Sequence, residues 1–118
     1  MGRPVAFFEV ISADAARARR FYGELFEWSA EADESLGGYA LVDTGAGEDA
    51  VGGGIGPSRA PGDTGVKIYV RVDDLDGYLK QAVDLGGTTL VPPRDLLGGY
   101  GRIAVFADPD GNPVGLWQ

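Results

Sequence analysis

Apolar and polar positions set out the elements of this chain in order. Val5–Ile11 (VAFFEVI) is rich in aromatic and β-branched residues and is predicted to be a strand. Its period of two puts Phe8 and Val10 on one face, and Phe7, Glu9 and Ile11 on the other. The period changes after Ser12-Ala13-Asp14. Over Ala15–Phe26 (AARARRFYGELF) a stripe of Ala18, Phe21, Tyr22 and Leu25 recurs at helical spacing, with Arg17, Arg20 and Glu24 outside it. Asp14 is the expected N-cap of that helix, because its carboxylate can accept from an otherwise unbonded amide of the first turn. Trp28 through about Ala32 is predicted as a second strand, Asp33–Gly38 as a turn and Tyr39–Asp43 (YALVD) as a third strand. Thr44–Asp49 reads as an acidic, glycine-rich turn. Ala50–Ile55 (AVGGGI) reads as a weak fourth strand, because Gly52, Gly53 and Gly54 have no side chains to pack.

The same pattern then restarts. Gly56–Gly65 (GPSRAPGDTG) has linker composition. Val66–Val72 (VKIYVRV) is a strand with Ile68, Val70 and Val72 on one face, and Lys67, Tyr69 and Arg71 on the other. Asp73-Asp74 caps a helix running to about Leu85, with a stripe of Leu75, Tyr78, Leu79 and Ala82, and Gly86-Gly87 stops it. Thr88–Val91 is a short strand, and Pro92–Tyr100 (PPRDLLGGY) a loop. Gly101–Gln118 is a β-hairpin around the turn Asp108-Pro109-Asp110-Gly111-Asn112. Placing Asp14 on Asp74 sets strand on strand and helix on helix. Each half is β-α-β-β-β, and the repeat rests on order and length more than on letters. The expected fold class is α+β: one domain over 1–118, with module one at about 1–56, a linker at about 57–65 and module two at about 66–118.

Composition narrows the chemistry. The chain has 118 residues, 44% hydrophobic and 24% charged, which suits a globular domain with a real core. It has neither Cys nor His, so disulfides, thiolate nucleophiles, imidazole bases and His or Cys metal ligands are all excluded. Net charge is −8. Nucleic acid is therefore not an expected partner, since phosphate contacts need a basic surface, and a cationic ligand is favoured. No apolar run is long enough to span a membrane, and the N-terminus lacks the pattern of a signal peptide, so the cytoplasm is the expected location.

Three segments together carry a resemblance: FFEVISADAARARRFYGELFEW (Phe7–Trp28), VRVDDLDGYLKQAVDLGG (Val70–Gly87) and GRIAVFADPDGNPVGLWQ (Gly101–Gln118). With the tandem βαβββ order they resemble the vicinal oxygen chelate superfamily. Its members include glyoxalase I, extradiol dioxygenases, fosfomycin-modifying enzymes and bleomycin-resistance proteins. The resemblance implies a curved mixed sheet around a cleft, with helices outside, and a two-fold homodimer. It also implies four metal-ligand positions, which fall here on Phe7, on Gly52 or Gly53, on Lys67 (Ile68 if the register slips) and on Gly115. None carries a usual ligand atom, and Lys67 would first have to lose a proton whose pKa is roughly 10.4. No metal and no cofactor are therefore expected, and small residues at these positions would leave room in the cleft.

The acidic runs have plain explanations. Asp108 and Asp110 sit where a turn needs them, and the final Glu of a calcium loop is missing. Asp73 and Asp74 read as helix caps. The face opposite the helices is more informative. Phe7, Glu9, Lys67, Tyr69, Arg71 and Trp117 are predicted to line it, with Trp28 and Tyr39 at its border and Tyr100 on a loop over it. Aromatic walls with a few charges describe a site for a cationic or aromatic small molecule. A filled core, with Glu9 and Arg71 as an internal salt bridge, is the other reading of the same residues. The favoured function is metal-free sequestration of a small molecule, with no residue assigned a catalytic role. A metal-independent isomerase or lyase using Glu9 and Tyr69, and an interaction module without a ligand, stay open beside it.

Overall fold

The computed structural model describes residues 2–60 and 63–118. The chain divides into two compact units, Phe7–Val66 and Lys67–Gln118, the latter joined by the N-terminal residues through Ala6. The fold is α+β and made of two βαβββ motifs, as the repeat predicts.

The first motif is β1 (Val5–Ser12), α1 (Ala15–Phe26), β2 (Ser29–Asp33), β3 (Tyr39–Asp43) and β4 (Gly52–Pro57). Its strands lie in the order β2-β3-β4-β1, with β1 parallel to β4 and the other pairs antiparallel. Asp14 caps α1 through its carboxylate, which accepts from Arg17 N at 3.0 Å. The core on the helix side is Val10, Val42 and Ile55, with Phe8, Ala18, Tyr22, Trp28 and Ala30 packed against it. The predicted α1 stripe is buried only in part. Ala18 and Tyr22 join the core, but Phe21 and Leu25 remain 58% and 57% exposed. Three consecutive glycines in β4 give the helix little to pack on beyond Ile55.

The second motif is β5 (Gly65–Arg71), α2 (Leu75–Asp84), β6 (Thr88–Asp95), β7 (Arg102–Ala107) and β8 (Pro113–Trp117), with strands in the order β5-β8-β7-β6. Here β5 runs parallel to β8, and the other pairs are antiparallel. Asp74 caps α2 by accepting from Gly77 N at 3.1 Å. Val72, Leu75, Leu79, Ala104 and Leu116 form its core, with Val70, Tyr78 and Phe106 at the margin. The N-terminal residues complete this unit: Arg71 N donates to Pro4 O, and Arg3 Nε to the Tyr78 hydroxyl at 2.7 Å. Ile68, expected to face the helix, is 40% exposed in the middle of β5.

One loop proved to be a strand. β6 continues through Pro92-Pro93 to Asp95, with register shifts between Thr89 and Val91 and between Val91 and Arg94. Proline removes a ladder donor, which an edge strand with bulges tolerates. A short 3₁₀ turn, Leu97–Gly99, follows. Pro57 and Gly65, at the ends of the predicted linker, belong to β4 and β5, while its Pro61 and Gly62 lie outside the described residues. Among the described residues no helix is long and apolar enough to cross a membrane.

Candidate functional site

In each unit the alternation along the first strand separates a helix face from an opposite face, and glycines on the partner strand let rings settle onto the sheet. In the Phe7–Val66 unit, Phe7 pairs with Gly52 and Glu9 with Gly54. Glu9 is 9% exposed, and its Oε2 accepts from the Tyr39 hydroxyl at 2.7 Å. The Tyr39 ring lies across Gly54 and Gly56; a Cβ on Gly56 would come within 2.6 Å of ring atom Cδ2. The structure thus brings Glu9 and Tyr39 together, a pairing the sequence did not specify.

Trp28 is placed elsewhere. Its ring centroid is 5.1 Å from that of Phe8, 5.7 Å from Tyr22 and 5.1 Å from Phe26. It belongs to the aromatic cluster on the α1 side, not to the border of the Glu9 face. The cause is local: Glu27 ends the helix in the left-handed conformation (φ 59°), and Trp28 precedes the strand instead of opening it.

In the other unit, Lys67, Tyr69, Arg71 and Trp117 share one face. Tyr69 pairs with Gly115 and Arg71 with Trp117. Tyr69 is buried, with its ring directly over Gly115. The Arg71 guanidinium lies 4.0 Å from the Trp117 ring centroid, and Lys67 Nζ lies 6.0 Å from that of Tyr69. Trp117 Nε1 donates to the Tyr100 carbonyl at 2.7 Å. Tyr100 contributes to this arrangement through its backbone, and its side chain is exposed. The register adds a residue from the predicted Pro92–Tyr100 loop. Trp117 pairs with Ile103, and Ile103 with Arg94, so Arg94 lies on the same face as Arg71. Pro92-Pro93 hid this strand, and edge position was the only signal that could have kept it.

The positions the resemblance assigns to a metal do not fit one. Phe7 and the glycines bring no ligand atom, and Lys67 brings an amine. No side chain can be built at Gly115 without displacing the Tyr69 ring. Much of the room expected over the small residues is taken: Tyr39 lies over Gly54 and Tyr69 over Gly115, and Phe8 covers Gly53 on the helix side, while a Cβ on Gly52 would have only the Val42 carbonyl within 4 Å, at 3.9 Å. Among the described residues no three His, Cys, Asp or Glu side chains converge as a metal site.

The acidic turn is structural. Asp108 Oδ1 accepts from the amides of Asp110 and Asn112, both at 2.9 Å. The Asn112 side chain, followed by its backbone amide, holds the Asp108 carboxyl below its ordinary range. Two hollows of about 420 and 530 Å³ lie beside α2 and α1. Neither takes in any of the predicted site residues.

Comparison with known proteins agrees with this architecture. Residues 7–117 match the family model described as Glyoxalase-like domain. The anthracycline biosynthesis protein DnrV of Streptomyces peucetius is 32% identical over 136 residues, covering 96% of this chain and 46% of DnrV. CFP32 of Mycobacterium tuberculosis is 30% identical over 111 residues, covering 91% of this chain and 42% of CFP32. The chain thus spans less than half the length of these curated relatives. Among solved structures, methylmalonyl-CoA epimerase from Mycobacterium tuberculosis superposes with a TM-score of 0.67 at 17% identity, covering 96% of this chain and 85% of the epimerase. A glyoxalase/bleomycin resistance protein/dioxygenase superfamily member from Vibrio splendidus 12B01 gives 0.61 at 15% identity, covering 98% and 97%. At these identities the structures speak for the fold alone. With its paired βαβββ motifs and a family match from Phe7 to Trp117, the chain belongs to the glyoxalase-like domain family, within the vicinal oxygen chelate superfamily.

Proposed function

We propose that this chain binds a small aromatic molecule without a metal, in the manner of the sequestering members of its superfamily. The observation that carries the reading is the replacement of ligand-bearing positions by aromatic packing, with Tyr69 seated over Gly115 the clearest case. A side chain that could hold a metal has no space there, and the neighbouring strands carry aromatic and cationic groups instead. Two Streptomyces relatives are named for anthracycline biosynthesis, which favours a planar, polycyclic ligand. The reading places the protein in the cytoplasm as a homodimer.

The test is metal analysis of the purified chain, followed by thermal denaturation with an anthracycline and, separately, with zinc, nickel and manganese. The expected result is far less than one metal per chain and a melting temperature raised by the anthracycline, since a ligand of the native state stabilises it. A stoichiometric transition metal, or a melting temperature that responds to the metals alone, overturns the reading.

A second reading, metal-independent isomerase or lyase chemistry, is favoured by one observation. Glu9 is a buried carboxyl with a phenol, Tyr39, at hydrogen-bond distance. It replaces the Glu9–Tyr69 pair expected from sequence with a pair inside one unit. It requires turnover that persists in chelator and disappears in Glu9→Gln.

A further inference from the structure

The charge of this chain is unevenly distributed, and the unevenness points to a ligand class. In the Lys67–Gln118 unit the acidic side chains with defined partners lie away from the Tyr69 face. Asp73 pairs with Arg3, and Asp76 and Asp95 pair with Arg102. Asp74 caps α2 and Asp108 holds the hairpin turn. The opposite face carries Lys67, Arg71 and Arg94. Arg71 and Arg94 are exposed, and among the described residues neither has a carboxylate within salt-bridge distance. In a chain of net charge −8, this face is locally positive.

Its geometry is equally specific. One cross-strand row reads Arg71, Trp117, Ile103, Arg94. About 14 Å separates the two arginine backbone positions, three strand spacings apart. The Arg71 guanidinium carbon lies over the Trp117 ring, 4.0 Å from its centroid, and the indole is tethered by its bond to the Tyr100 carbonyl. A guanidinium resting on an indole keeps its second face for another π system, and guanidinium edges match a carboxylate in two-point pairing.

We propose that this face binds a planar aromatic carboxylate, with Arg71 as the stacking surface and Arg94 as the partner of the carboxylate. The inference rests on the small-molecule reading above and names its ligand class. It replaces the cation expected from net charge, because short-range groups outweigh a distant, salt-screened excess of acid.

The experiment is calorimetric titration of the full chain with 2-naphthoate, 2-naphthamide and 2-naphthylmethylammonium. The indole N–H resonance of Trp117 is followed in parallel by NMR, with Trp28→Phe used to assign it. Saturable binding of naphthoate is expected, about tenfold or more tighter than the amide or the ammonium, weakening with salt and moving the Trp117 signal. Arg71→Gln is expected to weaken all aromatic binding. Arg94→Gln is expected to remove the preference for carboxylate over carboxamide, and both variants should melt near the wild type because the side chains are exposed. If the ammonium binds at least as well as naphthoate, the anion assignment falls while small-molecule binding stands. Naphthoate binding that Arg71→Gln leaves unchanged shows that the face is not the site. If no probe binds, the proposal falls, and the anthracycline melting experiment decides the broader reading separately.

Discussion

Tyr39 reaches Glu9 because Gly54 and Gly56 leave the sheet bare beneath its ring, and Tyr69 uses Gly115 in the same way. Each glycine has a neighbour that a methyl group would strike, so the expected cost is that of overpacking. Gly115→Ala should destabilise the chain by about 1–3 kcal/mol in urea denaturation. In a Tyr69→Ala background the same change should cost clearly less, because the struck ring is gone. Equal costs in the two backgrounds would show that the ring is not what excludes the side chain. The strand alternation that separated Phe8 from Glu9, and Val70 from Tyr69, was legible from period two alone. The rings over glycines were not, because sequence records only that a side chain is missing.

α2 owes its stability to its cap and to two buried residues, Leu75 and Leu79, whereas α1 has a cap but no buried residue. Leu75, the first residue of α2, is fully buried, and its truncation to Ala should cost about 2–5 kcal/mol, whereas Asp74→Ala should cost about 1 kcal/mol by releasing the Gly77 amide. A Leu75→Ala cost no larger than that of Asp74→Ala would contradict this view of the core. The final hairpin makes a prediction about pH. Asp108 is held below its ordinary pKa by Asn112, so its contribution is complete above about pH 3.9, the unfolded value, and is lost as pH falls through the lower folded value. The Asp110 and Asn112 amide resonances should titrate with a midpoint below about 3.9, and Asp108→Asn should abolish that step. Both caps and this turn could be read from the letters. β6 could not: Pro92-Pro93 is a loop signal unless the strand is known to be an edge, and Arg94 was lost with it. The α1 stripe was visible by spacing, yet the burial of Phe21 and Leu25 depended on a sheet whose glycines offered them little.

For the molecule as a whole, the acidic excess governs behaviour in solution more than ligand choice. The isoelectric point is about 4.3, so turbidity measured across pH should peak close to that value and fall on either side. A solubility minimum above pH 6 would mean that the carboxylates titrate far from their ordinary range. Tandem motif order and family were legible at this scale, because the order and length of repeats survive low identity. The segregation of cations onto one face was not, since it follows from which strand pairs with which.

The N-terminal residues through Ala6 belong to the unit built from the last part of the sequence. Pro4 accepts from Arg71, and Arg3 reaches Tyr78 and Asp73. During synthesis Arg3 and Pro4 must wait for residues 71–78 before they find these partners. That unit closes late and by a long loop, which slows folding more than it lowers stability. A substitution at Arg3 would therefore be felt at Tyr78 in α2, 75 residues away in sequence.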